Sequence, residues 1–257
     1  GGNAELAEII KKRFGINYLV TARNLNDNSL NKLKDNKFTP NKVLSLNYRN
    51  YEISKNSLKI PVELIPHPVD EDFFVKTNSL SVNVKPMFIS VCRMLDWKNI
   101  DKVMQALSKI NEEYIFHIFG TGPEEENLKK LVKELHLENK IKFKGWVEHD
   151  LLKGIMPSYD MLLQPSYPET LGRVYFEAMA SGVPVIASKN TGIDGLINSG
   201  QEGYLVNHYS IEEISSSIYM YLNLNKKDKI KLKKAVINKV SDYRWSKTLL
   251  KYHNLYE

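Results

Sequence analysis

Two carboxylates stand on either side of Gly172, at the start of a predicted helix. Glu169 lies in the loop sequence PSYPETLGR, and Glu177 lies within the helix that follows. Backbone amides at a helix start can hold a phosphate or a sugar oxygen, and carboxylates accept hydrogen bonds from neighbouring hydroxyls. The pattern therefore indicates a site for a ligand that is rich in hydroxyl groups.

Two other interpretations of these acids remain open. Glu169 could cap the helix while Glu177 pairs with Arg173 or another base, which would make both acids structural. The acids could also form the carboxylate pair of a glycosidase, which must flank the bond that is cleaved. Two acids close together around one helix start are better placed to bind a ligand than to lie on opposite sides of a bond that is cleaved.

A pair of cations follows an earlier predicted strand. Met87–Val91 is a continuous apolar run, and Arg93 and Lys98 come directly after it in the sequence CRMLDWKN. Two positive charges beyond the carboxyl end of a strand suit a diphosphate, whose charge must be neutralised as it binds or departs. The alternative is a pair of ordinary surface cations.

A glycine-rich turn joins the next predicted strand and helix. The sequence Gly120-Thr121-Gly122-Pro123 lets the backbone approach a ligand, and the helix start that follows favours an anion. The dinucleotide fingerprint G-x-G-x-x-G needs a third glycine at the position of Glu125, and the consecutive acids there would repel a pyrophosphate. NAD binding is therefore not expected.

Metal and disulfide chemistry have little support. The triplet Asp70-Glu71-Asp72 could hold a divalent ion, but a solvated turn is the preferred interpretation. The six histidines show no ligand spacing, and the single cysteine, Cys92, excludes a disulfide framework and a cysteine-rich metal site. We therefore expect no metal and no cofactor, and a reducing, cytoplasmic setting.

Strands and helices alternate along the chain, and the strands are continuously apolar. This pattern predicts an α/β fold with a doubly wound, Rossmann-like parallel sheet that is covered by helices on both faces. Ligands on such sheets bind at the carboxyl ends of the strands. Residues 75–86 are polar and predict a linker.

The positive charge is concentrated in one predicted helix. The formal net charge is +6, and seven lysines with one acid lie between Lys226 and Lys239. This cluster could attract the protein to anionic lipid on the inner membrane face, but a solvated helix face with Leu232, Val236 and Val240 turned inward is preferred. Nucleic acid is not expected as a partner, because no aromatic side chains interleave with the lysines. The sequence contains neither a bilayer-spanning apolar stretch nor the pattern of a signal peptide.

Taken in order, these features resemble the family 4 retaining glycosyltransferases of the GT-B fold. Their donor-binding domain carries G-R-x-x-x-x-K-G after a strand, which is here Cys92-Arg93 and Lys98-Asn99 with both glycines replaced. The motifs G-x-G-P, F-x-G-x-V and E-x7-E then follow in the family's order, at Gly120–Pro123, Phe143–Val147 and Glu169–Glu177. The resemblance covers about residues 60–257, and the segment 165–188 is its most specific part.

The resemblance implies a role for each matched position. Arg93 and Lys98 would bind the donor diphosphate and stabilise it as the leaving group, and Glu169 would contact the transferred sugar. Glu177 would hold the ribose hydroxyls. Val147 would contact the nucleobase. The remaining donor-binding positions lie in the glycine-rich turn and at the helix start, and they are Gly120, Gly122, Leu171, Gly172 and Arg173. This family needs no metal and no enzyme nucleophile, and it transfers the sugar with retention of configuration.

The amino-terminal part is the main departure from this family. The resemblance implies an abbreviated acceptor-side segment at residues 1–77, a nucleotide-sugar donor-binding domain at 78–240, and a terminal helix at 241–257 that packs back on the first segment. The first segment is shorter than a usual domain of about 100–150 residues. We therefore expect a fragment, an unusually compact enzyme, or a partner that supplies the acceptor side.

Three functions follow, in order of preference. The first is a hexosyltransferase that moves a sugar from a nucleotide-diphosphate donor to a glycan or lipid-linked acceptor, as in polysaccharide biosynthesis. The second is a non-catalytic nucleotide-sugar-binding module that lacks the acceptor half. The third is a nucleotide-sugar epimerase, which would rearrange the donor without an acceptor.

Overall fold

The computed structural model describes residues 2–22, 27–35 and 37–255 and shows two compact units. The first unit consists of Gly1–His67 with Lys247–Glu257, and the second consists of Pro68–Ser246. The boundaries expected from the sequence, at 77/78 and 240/241, both lie inside the second unit. The functional roles given to the three sequence segments stay a prediction.

The first unit is built around a three-stranded parallel sheet with the strand order β1-β2-β3. Leu33, Phe38 and Val43 form its small buried core. Its elements are α1 (Gly2–Phe14), β1 (Leu19–Ala22), α2 (Asp27–Lys34), β2 (Lys42–Ser45), α3 (Tyr48–Ser57), β3 (Val62–Leu64) and most of α10 (Trp245–His253). Residues 256 and 257, which the sequence places near the end of the terminal helix, lie outside the described residues.

A buried carboxylate organises the polar contacts of this unit. Glu8 on α1 accepts hydrogen bonds from the backbone amide of Thr39 at 2.8 Å and from the hydroxyl of Tyr18 at 2.5 Å. These bonds, led by that of Thr39, lower the pKa of Glu8 to about 2. Because Tyr18 precedes β1 and Thr39 precedes β2, the ionised carboxylate ties α1 to both strands.

The second unit contains a six-stranded sheet in which all paired strands are parallel. Its strands are β4 (Met87–Val91), β5 (Ile115–Phe119), β6 (Ile141–Gly145), β7 (Met161–Leu163), β8 (Val185–Ser188) and β9 (Gly203–Val206). Its helices are α4 (Ile100–Leu107), α5 (Glu125–Glu134), α6 (His149–Ile155), α7 (Arg173–Ala180), α8 (Ile211–Leu222) and α9 (Lys226–Val240). Strand β7 lies next to β4, so the sheet grows outward in both directions from this pair.

Alternate residues of β4 face opposite sides of the sheet, as the period of a strand requires. Phe88 is buried in one apolar cluster with Phe116 and Met161, whereas Ile89 is buried in a second cluster with Leu162. Both faces of the sheet are therefore covered. The prediction of an α/β, doubly wound, Rossmann-like parallel sheet is confirmed.

The polar segment 75–86 is part of the second unit. The amide of Val75 donates to the carbonyl of Ala180 at 3.3 Å, and the side-chain amide of Asn83 donates to the carboxylate of Asp160 at 2.8 Å. The prediction of a linker here is wrong, because the polar side chains that suggested it bond to the body of the unit.

The lysine-rich helix α9 is less uniformly solvated than its composition indicates. Leu232, Val236 and Val240 are buried as expected, but Lys233 is also buried. Its ammonium group donates to the carbonyl of Tyr159 at 2.8 Å, and burial lowers its pKa. Lys226, Lys227, Lys231 and Lys234 are the exposed lysines of the helix.

Candidate functional site

The candidate site lies where β4 and β7 end. These neighbouring strands are paired in parallel, but the chain builds β5 and β6 on one side before it returns to β7 on the other. Such a reversal leaves a crevice beyond the carboxyl ends of the two strands, because the loops that follow them turn to opposite faces of the sheet. The loop after β4 carries Arg93 and Lys98, and the loop after β7 carries Glu169.

Lys98 and Glu169 meet in this crevice. The Nζ atom of Lys98 lies 2.7 Å from Oε2 of Glu169, and only 11% and 14% of the two side chains are exposed. The same ammonium group lies 3.9 Å from the centre of the Trp97 ring, a favourable cation–π contact. The N-cap residue of helix α7 is Gly172, and no side chain caps the helix, so the alternative that Glu169 caps it is wrong.

Asn99 joins the two loops. Its side-chain amide donates to the carbonyl of Pro165 at 2.7 Å, and the amide of Tyr167 donates to the carbonyl of Trp97 at 2.9 Å. Asn99 has a left-handed backbone with φ 54° and ψ 32°. Asparagine tolerates this conformation better than most residues, which explains how it can stand where the resembled family has glycine. The replacement therefore preserves the turn and adds a hydrogen bond between the loops.

The glycine-rich turn after β5 packs against the Arg93 loop. A β-carbon on Gly120 would lie 1.9 Å from the carbonyl oxygen of Cys92, and one on Gly122 would lie 2.3 Å from that of Met94. Gly120 also has a φ of +113°, a region that favours glycine. From the sequence, these glycines suit either the approach of a ligand or a tight turn before the helix. The structure adds another reason for them, which is the close crossing of the two loops.

A cavity of about 680 Å³ opens beside this crossing. Arg93, exposed on the loop after β4, lines it together with the predicted positions Gly120, Gly122 and Val147. Cys92 also lines the cavity, and its thiol has a pKa raised to about 12, chiefly by burial, with smaller opposing effects of Lys98 and Glu169. The cavity is thus adjacent to the buried ion pair.

Trp146 is a lining residue that the sequence argument did not single out. Its ring is 67% exposed, although it directly precedes Val147 in the loop after β6. A large aromatic side chain left open to solvent beside a cavity is suited to stacking on a planar ligand. The sequence signal that could have identified it is the presence of a tryptophan at the second variable position of the F-x-G-x-V motif.

Glu177 on α7 is the second predicted acid, and its partner is His149. Nε2 of His149 lies 3.2 Å from Oε1 of Glu177, whose side chain is 13% exposed. The structural alternative is a pairing of Glu177 with Arg173 or another base, and the observed contact is with another base, His149. Arg173 itself is exposed at the first position of α7. His149 was also not singled out from the sequence, because its nearness to Glu177 depends on tertiary structure.

The start of α7 is held by two glycines. Gly172 has a φ of +64°, and a β-carbon there would lie 2.3 Å from the ring of Tyr175. A β-carbon on Gly192 would lie 1.6 Å from the carbonyl oxygen of Thr170, and the amide of Gly192 donates to the carbonyl of Glu169 at 3.0 Å. Leu171 is buried between them. The backbone around Glu169 is therefore closely fixed.

The acidic triplet at residues 70–72 has a structural role. Asp70 pairs with Lys153 at 2.7 Å, and the hydrogen bond from Lys153 lowers the pKa of Asp70. Glu71 accepts a hydrogen bond from the guanidinium of Arg244 at 2.7 Å. The preferred interpretation of a solvated turn therefore describes only Asp72, which is exposed. In the described parts of the chain, no three His, Cys, Asp or Glu side chains are grouped as a metal site would require.

Comparison with known proteins identifies related sequences. Residues 73–239 match the family described as glycosyl transferases group 1. A sulfoquinovosyl transferase of Arabidopsis thaliana is 32% identical over 173 residues, which is 66% of this chain and 33% of that protein. An N-acetyl-alpha-D-glucosaminyl L-malate synthase of Bacillus anthracis is 37% identical over 110 residues, which is 42% of this chain and 28% of that protein. The matched part thus spans about a third of these relatives.

Solved structures share the fold over nearly all of the chain. Sucrose-phosphate synthase from Thermosynechococcus elongatus superimposes with a TM-score of 0.79 at 20% identity, covering 98% of this chain and 70% of that one. Anabaena HepE in complex with UDP gives 0.80 at 19% identity, covering 97% and 74%. These likenesses show the Rossmann-like GT-B type of fold. Together with a family match that covers well over half of the sequence, they place the chain among the glycosyl transferases of group 1.

Proposed function

We propose that this chain is the nucleotide-sugar-binding part of a family 4 retaining glycosyltransferase. The enzyme would move a sugar from a nucleotide-diphosphate donor to a glycan or lipid-linked acceptor. The observation that carries the proposal is the 2.7 Å contact of Lys98 with Glu169, which joins the predicted cation and the predicted acid in one crevice. The Arabidopsis relative is named as a sugar transferase and HepE was solved with UDP, which supports the same interpretation.

The proposed leaving group is the nucleoside diphosphate. Arg93 is exposed on the cavity and supplies one positive charge, and Lys98 supplies a second at the buried end. Positive charges fixed in advance stabilise a departing diphosphate without having to reorganise during the reaction. Because Arg93 and Lys98 provide this neutralisation, the proposed mechanism does not need a metal ion.

Glu169 is proposed to contact the transferred sugar. Its carboxylate is already engaged by Lys98, so it is suited to accepting hydrogen bonds from sugar hydroxyls. Retention is then proposed to follow from attack by the acceptor hydroxyl on the face that the diphosphate leaves, with the leaving phosphate taking the acceptor's proton. The backbone of Leu171 and Gly172 and the side chain of Arg173 are proposed to complete the sugar-diphosphate contacts.

The nucleoside is proposed to occupy the cavity beside Val147, with Gly120 and Gly122 along its floor. Glu177 is proposed to accept hydrogen bonds from the ribose hydroxyls. Trp146 provides an exposed ring for the base. A volume of about 680 Å³ lies within the usual range of about 300–1,000 Å³ for small-molecule sites.

Ligand binding gives the direct test. A panel of UDP, GDP, ADP and their sugars should include one nucleotide that raises the melting temperature, since ligand at about 100 times its Kd adds roughly 2.7 kcal/mol of stability. Glu177→Ala should remove this shift while the melting temperature without ligand stays close to that of the wild type. The matched control is Glu138→Gln, an exposed acid outside the site. Stabilisation by none of the nucleotides, or an unchanged shift in Glu177→Ala, would overturn the proposal.

The second candidate is a binding module without turnover. In such a module the Lys98–Glu169 crevice and the cavity beside it would bind the donor, but no sugar would be transferred. Incubation with the donor that binds, followed by measurement of free nucleoside diphosphate, separates the two functions. Slow release that depends on Lys98 supports a transferase, whereas binding without any release supports the module.

Membrane contact is a further proposal for the exposed lysines of α9, on the cytoplasmic side of the inner membrane. Four lysines at about 1 kcal/mol each near an anionic surface would give weak, salt-sensitive binding. None of the described helices is long and apolar enough to cross a bilayer. Sedimentation with phosphatidylserine vesicles should be lost when the four exposed lysines are changed to glutamine. Equal sedimentation of the wild type and this variant would refute membrane contact through α9.

A further inference from the structure

His149 holds the acid that is proposed to bind the donor ribose. Its Nε2 atom lies 3.2 Å from Oε1 of Glu177. Oε2 of Glu177 has no hydrogen-bond partner within the described part of the chain. A carboxylate only accepts hydrogen bonds, so the nitrogen that faces it must carry a proton. Both imidazolium and the neutral tautomer protonated at Nε2 meet this requirement.

The ring of His149 also packs against a buried aromatic side chain. It makes an edge contact with the ring of Phe73, at 5.2 Å between centres and an interplanar angle of 62°. Phe73 is fully buried, and its carbonyl accepts a hydrogen bond from the hydroxyl of Ser181 at 3.2 Å. Phe73 directly follows the acidic triplet, whose Glu71 is bonded to Arg244. The imidazole, 52% exposed, is therefore supported on one side by a turn that the proposed function does not otherwise use.

This arrangement divides the two oxygens of Glu177 between two tasks. Oε1 is occupied by His149, which limits rotation of the carboxylate, and Oε2 stays available to a ligand. A carboxylate held in one orientation loses less conformational freedom when it accepts a hydroxyl than one that rotates freely. A pair of vicinal hydroxyls would benefit most, because both must reach acceptors in a defined geometry.

We propose that His149 is a positioning residue, which orients Glu177 toward the vicinal ribose hydroxyls of the nucleotide donor. This inference rests on the proposed function. It assigns to the histidine a part in selecting a ribonucleotide over a nucleotide that lacks the diol. His149 acts through Glu177 and does not touch the reacting atoms.

The test compares one pair of ligands across matched variants. His149→Phe keeps an aromatic ring against Phe73 but removes the donor, and His149→Gln restores an amide donor at nearly the same reach. Calorimetry would measure the Kd of the nucleoside diphosphate that binds the wild type and of its 2′,3′-dideoxy counterpart. Loss of one hydrogen bond to a charged acceptor should raise the Kd of the ribonucleotide about tenfold in His149→Phe. The dideoxy ligand should change less than about twofold, and His149→Gln should recover most of the affinity.

A second experiment tests whether the loss of affinity in His149→Phe depends on the carboxylate of Glu177. In the Glu177→Gln background, His149→Phe should have no further effect on the ribonucleotide, because the oriented carboxylate is already gone. In turnover assays His149→Phe should raise KM and leave kcat nearly unchanged, as expected for binding that is equal in the ground and transition states. Glu148→Gln, a change at the exposed neighbouring acid, should leave both constants unaltered.

The outcomes separate this inference from the function on which it rests. An equal loss of affinity for both ligands, or no loss for either, would overturn the role of His149 while nucleotide binding by the wild type stands. A fall in kcat at constant KM would also overturn it. If no nucleoside diphosphate binds the wild type, the proposed function fails first and the inference falls with it.

Discussion

Lys98 and Glu169 form an ion pair although 71 residues separate them in the chain. The two side chains lie in loops that follow the neighbouring strands β4 and β7, and both are largely shielded from water. In such surroundings each charge depends on the other, since an unpaired ion in a poorly solvated site is costly. The pair is therefore tested most sharply by removing one partner and then both.

Lys98→Met should destabilise the second unit by about 3 kcal/mol, because it leaves Glu169 without its counter-charge. Lys98→Met combined with Glu169→Gln should be more stable than Lys98→Met alone, since no charge is then stranded. Urea unfolding of the single variants and the double variant measures this coupling. Lys102→Met is the control, because Lys102 is more exposed and pairs with Asp101 on the surface of α4. Additive changes would contradict the importance of the pair.

Gly120→Ala should prevent the second unit from adopting its native crossing of loops. The added β-carbon would lie 1.9 Å from the carbonyl oxygen of Cys92, on a backbone with a φ of +113°. We expect a loss of more than about 3 kcal/mol, or insoluble protein. Gly154→Ala is the matched control, since nothing lies within 4 Å of its β-carbon and it sits in helix α6, where alanine should add about 0.5–1 kcal/mol. Thermal melting of both variants measures the difference in stability. Equal melting temperatures would show that the loop crossing does not require glycine at position 120.

Asn99→Ala should cost more stability than Asn99→Gly. Both variants lose the hydrogen bond to the carbonyl of Pro165, worth about 1 kcal/mol. Alanine must also hold the left-handed backbone at a further cost of about 1 kcal/mol, whereas glycine adopts it freely. Asn127→Ala on the exposed surface of α5 provides a control. The reverse order of stabilities in urea unfolding would show that φ at this position is not the limiting factor.

Acid should loosen the first unit through Glu8. Its pKa is lowered from 4.5 to about 2 by hydrogen bonds from Thr39 and Tyr18. The unfolded chain therefore binds more protons than the folded one in this window, so the contribution is fully present above pH 4.5 and is lost as the pH falls through about 2. Glu8→Gln should cost about 2 kcal/mol at pH 7 and should flatten this pH dependence.

Hydrogen exchange of residues 37–45 between pH 2 and pH 7 measures the effect in the first unit. Glu5→Gln, an exposed acid on the same helix, serves as the control. After correction for intrinsic chemistry, the same pH dependence of exchange in the wild type and in Glu8→Gln would contradict the prediction.

Much of the fold followed from the sequence because it depends on local pattern. The limits of β4 agree with the continuous apolar run at 87–91. The meeting of Lys98 with Glu169 could also be anticipated, since carboxyl ends of parallel strands gather at one edge. The individual roles of the site residues stay predictions until ligand binding is measured.

Other features could not be predicted because they depend on contacts between distant segments. His149 is the first residue of α6 and Glu177 lies on α7, so their pairing leaves no local signal in the sequence. From the sequence, the glycines at 120 and 122 suit the approach of a ligand or of a neighbouring backbone equally well. Their close contacts with the backbone of Cys92 and Met94 appear only in the structure. Lys233 did carry a signal, since it lies three positions before Val236 on the apolar face of α9, but the surrounding lysines obscured it.

The placement of β7 beside β4 also has a consequence for biosynthesis. During translation the loop after β4, which carries Lys98, is synthesised well before the loop after β7, which carries Glu169, because β5 and β6 lie between them in the sequence. A nascent chain that ends before residue 165 would contain Lys98 without Glu169, so the ammonium group would lack the counter-charge that it has in the folded protein. The ion pair can therefore form only late in translation, when the returning strand β7 joins the sheet beside β4.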